Sequence, residues 1–192
     1  MVIDMNSDLN YTVIRSKRKT LALQIKNGDV IVRAPRIVRN KDIKEFVASH
    51  QAWIEKQLNT IKKREERLRA IAPMGADEIA QLSKQAADII PKKVEFYAKA
   101  LGVTYGRITV RMQKTRWGSC SSKGNLSFNC LLMLAPEEIL DSVIVHELCH
   151  RKEMNHSDRF YAEIEKIMPD YKKRKAWLRE NGEELMAKGG KT

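Results

Sequence analysis

Three of the four histidines in this 192-residue chain fall within one short window, at positions 146, 150 and 156. The first two flank a glutamate in the pattern H-E-x-x-H, which runs from His146 through Glu147 to His150. On an α-helix, residues four apart lie about 40° from each other around the axis, so both imidazoles can bind one ion. Glu147 is rotated about 100° from His146, which places its carboxylate beside that ion. The spacing predicts a site in which a zinc-bound water gives its proton to Glu147.

A catalytic zinc site needs a third protein ligand, and His156 is the first candidate. On a continued helix it would lie roughly 280° from His146, so it can bind the ion only if the helix ends and the chain turns back. Asn155 suits a left-handed helix cap, and Ser157 suits the N-cap of a new helix over 158–168. Imidazole suits zinc well as a ligand. The alternative third ligands are downstream carboxylates: Glu153, Asp158, Glu163 and Glu165.

The cysteines do not form a metal or disulfide pattern. There are three, Cys120, Cys130 and Cys149, and none makes a Cys-x-x-Cys pair. An odd number without paired spacing argues against a disulfide framework and a zinc ribbon, and favours a reducing, cytoplasmic location. Cys149 lies inside the motif but points about 100° away from His150 on the helix, so we expect a small core residue.

Hydrophobic periodicity predicts the elements that must position the motif. The helix that carries it is expected to begin at Pro136, because proline suits the first helical turn and acids suit the positive end of the dipole. An apolar face precedes His146 and is expected to bury this helix behind the metal. The elements predicted upstream are a helix over 77–100 with a break or kink at Pro91, and strands over 108–113 and 126–134.

The N-terminal part has a separate pattern. Strands are expected over 21–26 and 30–35, joined by a turn at Asn27, Gly28 and Asp29, because Asn and Gly tolerate the positive φ of a tight hairpin. A helix is expected over 41–71. The proline and glycine that follow predict a boundary between an N-terminal unit, residues 1–72, and a hydrolase core, residues 73–192.

Basic residues concentrate in the N-terminal unit. The chain has a net charge of +12, and residues 1–72 hold 16 Lys and Arg against 8 Asp and Glu. This excess permits a polyanionic partner, although a solvated surface explains many charge runs. No apolar run is long enough to cross a bilayer, and no secretory signal precedes the first strand. We therefore expect a cytoplasmic protein that has no membrane partner.

The motif and its surroundings resemble a known family. The similarity is carried by a segment beginning Arg116-Trp117-Gly118, by the stretch from Leu134 to His150, and by the segment 153–160. These resemble the YgjP-like metal-dependent hydrolases, which are related to the SprT-type and WLM-type zinc metallopeptidases. The basic segment that begins at Arg15 also fits that family.

The resemblance implies an α+β fold with a minimal zincin-like core, in which a small sheet lies beside the H-E-x-x-H helix. An N-terminal β-hairpin and helical extension would precede this core. It also implies Zn²⁺, or another divalent metal, at His146, His150 and His156, with Glu147 as the catalytic acid and base. The histidine spacing is that of metzincins, but Glu153 stands where metzincins have glycine.

Two functions are compatible with such a site. A zinc peptidase would hold an extended peptide along the strand 126–134. The resemblance also implies a second activity, because some members of the family are labelled nucleoside triphosphate pyrophosphatases that act on UTP; such an enzyme would use the same activated water on a phosphoanhydride. Basic side chains would then neutralise the phosphates and Trp117 would stack on the base. The basic candidates are Arg15, Lys17, Arg18, Lys19 and Arg116. A nucleic-acid-binding module with a structural metal fits less well, because structural zinc sites usually fill all four positions.

Overall fold

The computed structural model describes residues 9–190 and divides the chain into two compact units, residues 1–70 and 71–192. Each unit combines helices with a three-stranded sheet and has its own hydrophobic core, which confirms the α+β prediction. None of the described helices is long and apolar enough to cross a membrane.

The first unit contains a mixed sheet and two helices. Its elements are β1 (Tyr11–Ser16), β2 (Ala22–Lys26), β3 (Asp29–Pro35), α1 (Asn40–Ser49) and α2 (Gln51–Arg69). Strand β3 is central and pairs antiparallel with β2 and parallel with β1. The predicted hairpin is present, with positive φ at Asn27 and Gly28. Because β1 adds a third strand, the extension is a small sheet rather than a hairpin alone.

The prediction of one helix over 41–71 is wrong, because the helix breaks at His50. The hydroxyl of Ser49 donates to the carbonyl of Phe46 at 2.9 Å, and His50 Nδ1 lies 2.8 Å from the same oxygen. Side chains that compete for a helical carbonyl in this way favour ending the helix. Apolar residues on both sides of the break, including Ile43 and Ile54, still pack into the same core.

The second unit holds the histidine motif. Its elements are α3 (Ala76–Leu101), β4 (Ile108–Arg111), β5 (Gly118–Cys120), β6 (Leu126–Asn129), a 3₁₀ helix (Cys130–Leu134), α4 (Glu137–Cys149), α5 (Asp158–Ile167) and α6 (Tyr171–Lys188). Strand β6 is central, with β4 parallel on one side and β5 antiparallel on the other. The motif helix α4 packs against this sheet and against the other helices of the unit. A small sheet beside the motif helix is therefore confirmed.

Three features of this unit differ from the sequence prediction. The strand expected over 126–134 ends at Asn129, whose side-chain oxygen accepts from the Leu131 amide at 3.1 Å and caps a 3₁₀ turn. Strand β5 lies in the polar connection 115–124, where three residues are too few to show a period. Helix α6 is highly charged, and its buried or half-buried apolar residues lie on more than one side of the helix, so they show no clear helical period; they include Tyr171, Trp177, Leu178, Leu185 and Met186.

Helix α3 runs through Pro91 without ending there. Small and branched residues at a spacing of four, among them Ala86, Ile90 and Val94, are fully buried and form one wall of the core. The left-handed cap at Gly102, with φ of 66°, ends the helix as predicted. This long helix gives α4 a continuous apolar surface to pack on.

An ion pair joins α3 to the N-terminal turns of α4. Lys93 Nζ donates to Asp141 Oδ1 at 2.8 Å and also contacts the carboxylate of Glu137. The side chains of Lys93 and Asp141 are only 20% and 13% exposed, so water screens this pair little. Its loss would leave a partly buried carboxylate without its cation.

We predict that Lys93→Met lowers the free energy of unfolding by about 1.5–3 kcal/mol, the range for a hydrogen bond to a charged group. The control is Lys92→Met, because Lys92 makes an exposed pair with Asp88 on the same helix. That variant should lose less than about 1 kcal/mol. Urea denaturation of both variants measures the difference, and equal losses would contradict the assigned role of Lys93.

Candidate metal centre

The end of α4 brings three histidines together. His146 lies in the last turn of α4, His150 follows the helix as its C-cap, and the chain returns so that His156 precedes α5. The Nε2 atoms of His146 and His156 are 3.0 Å apart, and one nitrogen from each of the three rings lies within 4.8 Å of the others. Among the described residues, no other group of His, Cys, Asp and Glu comes together in this way.

The turn that returns His156 is built from backbone hydrogen bonds. The amides of Lys152 and Glu153 both donate to the carbonyl of Cys149, at 2.9 and 3.0 Å. Asn155 does not adopt a left-handed conformation, since Asn27 is the only non-glycine residue with positive φ in 9–190. The expected left-handed cap at Asn155 is therefore wrong. Ser157 does cap α5 as predicted, because its hydroxyl accepts from the Phe160 amide.

Phe160 supports all three imidazoles. Its ring is fully buried, and its centroid lies 4.9, 4.6 and 4.9 Å from those of His146, His150 and His156. A bulky aromatic side chain in van der Waals contact with each ring limits the rotamers that the histidines can adopt. The histidine sequence pattern contains no sign of this residue, apart from its place in the first turn of a predicted helix.

The ring geometry fits a divalent metal ion. Zinc binds imidazole nitrogen at about 2.0–2.1 Å, so two ligands of a tetrahedral site lie roughly 3.3 Å apart. The 3.0 Å between two Nε2 atoms is close to that value. Burial, with smaller contributions from the other histidines, lowers the pKa of His146 to about 3, and burial also lowers that of His150. Both rings are therefore neutral at neutral pH and can offer a lone pair to a metal.

Hydrogen bonds on the outer side of two rings orient them. His150 Nδ1 lies 3.2 Å from the carbonyl of Glu153, and because a carbonyl only accepts, Nδ1 carries the proton. His146 Nδ1 lies 2.7 Å from the hydroxyl of Tyr171. Burial raises the pKa of Tyr171 above its ordinary value, so the phenol stays protonated. These partners leave both Nε2 atoms free to face an ion. Sequence reasoning missed Tyr171 because it missed α6.

Glu147 lies beside the histidines in an apolar environment. Its side chain is buried, and burial raises its pKa to about 7. Strand β5 approaches it so closely that a Cβ built on Gly118 would lie 2.7 Å from both Cγ and Oε1 of Glu147. Only glycine permits this approach. The carboxylate is thus confined between a helix and a strand edge.

A buried asparagine holds the loop that precedes β5. Asn129 Nδ2 donates to the carbonyls of Gln113 and Arg116, at 2.7 and 3.0 Å. Its backbone amide donates to the carbonyl of Trp117 at 2.8 Å. Asn129 is fully buried and makes these bonds while capping the 3₁₀ turn. It therefore sets the position of Arg116 and Trp117, and sequence reasoning did not identify it.

A cavity of about 270 Å³ opens beside His146 and Glu147. Its walls are mainly apolar and come from β5, α4 and α6. The residues that line it include Trp117, Val143, Tyr171 and Leu178, with the cationic side chains of Arg116 and Lys175. Two of the predicted substrate residues, Arg116 and Trp117, thus lie next to Glu147.

The other predicted substrate residues belong to the first unit. The Arg15 guanidinium donates to the carbonyls of Pro35 and Val38 at 3.1 and 2.6 Å, and to Asn40 Oδ1 at 2.7 Å. Arg15 therefore holds the segment between β3 and α1 together. Lys17, Arg18 and Lys19 follow it in the segment between β1 and β2. A role of these four residues in substrate binding stays a prediction.

Two of the four alternative ligands are engaged in ion pairs, and the other two, Glu153 and Asp158, do not belong to the histidine group. Glu163 is held by Lys152, at 2.7 Å, and by Lys166, while Glu165 lies 3.1 Å from Lys172. Cys149 is fully buried in the core, as predicted, and burial raises the pKa of its thiol to about 12. Carboxylates and thiols of this region therefore do not join the histidine group.

Comparisons with known proteins agree with the family resemblance. A family model described as a YgjP-like metallopeptidase domain matches residues 19–79 and 74–181. A search of curated proteins found no match. Two solved structures are similar at 22% identity, the metallopeptidase zymogens jannalysin of Methanocaldococcus jannaschii and abylysin of Pyrococcus abyssi. The TM-score is 0.43 for jannalysin and 0.44 for abylysin. Each match covers 48% of this chain, together with 95% of the jannalysin chain and 94% of the abylysin chain.

We predict that Tyr171→Phe weakens zinc binding about 10- to 100-fold, the usual effect of removing a hydrogen bond to a metal-binding histidine. Competition with a chromophoric chelator measures the affinity. Tyr105→Phe is the control, because Tyr105 is half-buried outside the histidine site. An unchanged affinity in Tyr171→Phe would show that the phenol does not orient His146.

A second prediction concerns the ion pair between the histidine turn and α5. Hydrogen bonds from Lys152 and Lys166 lower the pKa of Glu163 from its ordinary 4.5 to about 2. A carboxyl group with a lowered pKa stabilises the fold above its unfolded pKa, and this contribution is lost as pH falls through its folded pKa. Glu163→Gln should therefore lower stability at neutral pH, and the difference from the wild type should shrink between pH about 4.5 and 2.

Urea denaturation across this pH range measures the effect of Glu163→Gln. Glu165→Gln removes an equal charge from the same helix and serves as the control, because Glu165 pairs with Lys172 rather than with the turn. Equal stability losses in the two variants, or a difference that does not change with pH, would contradict the role of Glu163.

Proposed function

We propose that this chain is a zinc peptidase with Glu147 as its general base. The proposal starts from the family to which the chain belongs, the YgjP-like metallopeptidase-domain family, which makes it a metal-dependent hydrolase. One observation carries the proposal. Three imidazoles whose nitrogens lie within 4.8 Å of one another sit beside a buried carboxylate and an apolar cavity. This combination provides metal ligands, a proton acceptor and a binding site for a substrate side chain.

His146, His150 and His156 would hold the ion. Three protein ligands leave the fourth position of a tetrahedral site open, as catalytic zinc sites require. When bound, zinc acts as a Lewis acid that polarises a carbonyl and lowers the pKa of a coordinated water. Neutral imidazoles suit zinc, although the donor set alone would also accept other divalent metals.

Glu147 would move the protons of the reaction. Its carboxylate takes one proton from the attacking water, whose oxygen forms the new bond to the peptide carbonyl carbon. It then gives that proton to the leaving nitrogen as the carbon–nitrogen bond breaks, which releases an amine and a carboxylic acid; the acid loses the second proton of the water to solvent. A pKa near 7, caused by burial, suits a group that must both accept and return a proton.

The edge of the sheet suggests how a peptide would bind. Strand β6, in which we expected substrate binding, pairs with β4 and β5 on its two sides and has no free edge. That expectation is therefore wrong for residues 126–129. Strand β5 lies at the edge of the described sheet, and its Gly118 contacts Glu147. An extended peptide that hydrogen-bonds to Gly118–Cys120 would pass directly in front of the carboxylate.

Hydrolysis of a nucleoside triphosphate stays the alternative, because Arg116 and Trp117 line the cavity beside Glu147. A triphosphate carries several negative charges and is usually bound by several cations. The cavity offers two cationic side chains and mainly apolar walls, in a volume of about 270 Å³. That volume lies slightly below the usual range for drug-sized ligands, about 300–1,000 Å³. A single amino-acid side chain is the better fit.

We predict that Glu147→Gln keeps its zinc and lowers peptide hydrolysis by about 10²–10⁴-fold, the usual contribution of general acid–base catalysis. The zinc-loaded enzyme would be incubated with a synthetic peptide mixture and, separately, with UTP. Cleavage would be followed by mass spectrometry and by pyrophosphate release, and zinc content by atomic absorption.

Glu138→Gln, on the exposed face of the same helix, is the matched control and should keep full activity. Pyrophosphate release without proteolysis would contradict the peptidase function and favour the nucleotide alternative. Full activity in Glu147→Gln would contradict the acid–base role.

A further inference from the structure

We infer that the cavity beside Glu147 selects a large apolar side chain of the peptide, and that Arg116 and Lys175 bind a substrate carboxylate next to it. The inference rests on the proposed peptidase function and names the class of peptide that the site accepts. It is carried by the size of the cavity, by the chemistry of its walls and by two cations for which the described residues provide no acidic partner.

The cavity is large enough for one bulky side chain. Its volume of about 270 Å³ lies slightly below the usual range for drug-sized ligands, about 300–1,000 Å³. Trp117, Val143 and Leu178, which come from three different segments of the chain, provide apolar surface. Because His146 and Glu147 also border the cavity, a side chain bound in it belongs to a residue at the scissile bond.

The wall formed by Trp117 is held in place. A Cβ built on Gly182 would lie 3.2 Å from Trp117 Nε1, so the indole packs against the backbone of α6. The Trp117 carbonyl accepts from the amide of Asn129 on the other side. A wall fixed from two directions keeps its shape, and a cavity of fixed shape discriminates between side chains by size.

Two cations lie at this cavity without a carboxylate partner in the described part of the chain. Arg116 is exposed and makes no side-chain ion pair there. Lys175 Nζ donates to the hydroxyl of Tyr161 at 3.0 Å and lies 4.8 Å from the centre of that ring. A phenol hydroxyl is neutral and leaves the charge of Lys175 uncompensated. Within residues 9–190, the only acidic residue that borders the cavity is Glu147.

Two groups of a peptide substrate could supply the carboxylate that Arg116 and Lys175 bind. In a peptide whose apolar side chain fills the cavity, the nearby anion is either the C-terminal carboxylate or an acidic side chain at the next position. Both present the same group, which a guanidinium binds through two parallel hydrogen bonds. Lys175 would add a second positive charge to that contact.

Matched peptides test this inference with the zinc-loaded wild-type enzyme. One pair ends in phenylalanine with a free carboxylate or with an amide. The other pair continues after phenylalanine with aspartate or with asparagine. We expect one of the two carboxylate peptides to be cleaved before phenylalanine with a kcat/KM about 10- to 100-fold above that of its neutral counterpart, the range of a charge-assisted hydrogen bond. The pair that shows the preference identifies the source of the carboxylate.

Single substitutions test whether Arg116 and Lys175 cause the preference for a carboxylate peptide. Arg116→Gln and Lys175→Gln should each bring the ratio of the preferred pair closer to one. Arg111→Gln removes the same charge from β4, outside the cavity, and should keep the wild-type ratio. Leu178→Trp should fill the cavity and shift cleavage from phenylalanine toward alanine at that position. Zinc content and thermal unfolding show that each variant is folded.

The outcomes separate the inference from the proposed function. If the wild-type enzyme cleaves no peptide, the peptidase function is wrong and the inference falls with it. If peptides are cleaved in a Glu147-dependent manner but carboxylate and neutral members react equally, the inference alone is overturned. The same holds if Arg111→Gln lowers the ratio as much as Arg116→Gln does.

Discussion

Burial of the motif helix on nearly all sides is the constraint on which the second unit depends. Nine of the thirteen residues of α4 are buried, and they include Glu147. A charged group in such surroundings loses most of its hydration, so the protein holds His146 neutral and raises the pKa of Glu147 to about 7. The same burial that stabilises the core thus gives the site a neutral imidazole and a carboxyl group with a pKa near 7, the two properties that the proposed hydrolysis requires.

A helix buried this way needs neighbours that come close without blocking the carboxylate. Gly118 lets β5 approach Glu147, and Gly182 lets α6 approach Trp117. Asn129 supplies the polar counterpart, because it satisfies three backbone groups of the connecting segments inside the core. Buried polar groups are tolerated when they are fully hydrogen-bonded, and in that state they fix one arrangement of the chain.

Most of the net charge of the chain belongs to the unit that does not contain the three clustered histidines. The excess of basic residues lies in the first 72 residues, where Arg15 is used to hold the local backbone. The cationic side chains that line the cavity beside Glu147 are Arg116 and Lys175, and we propose that these two bind the substrate carboxylate. Two cations at fixed positions beside an apolar wall can distinguish one anion from another, whereas the long-range attraction of a large net charge cannot.

The features that could be predicted from the sequence depend on residues that are close together along the chain. The pattern H-E-x-x-H, the helix N-cap at Ser157 and the helix end at Gly102 all depend on residues within about one helical turn of each other. The contacts that only the tertiary structure decided join residues far apart along the chain. His146 meets Tyr171 across 25 positions, and Asn129 meets Gln113 across 16. The three-residue strand β5 and the charged helix α6 have little hydrophobic periodicity, so the sequence pattern does not predict them. Their positions are determined by tertiary packing against α4.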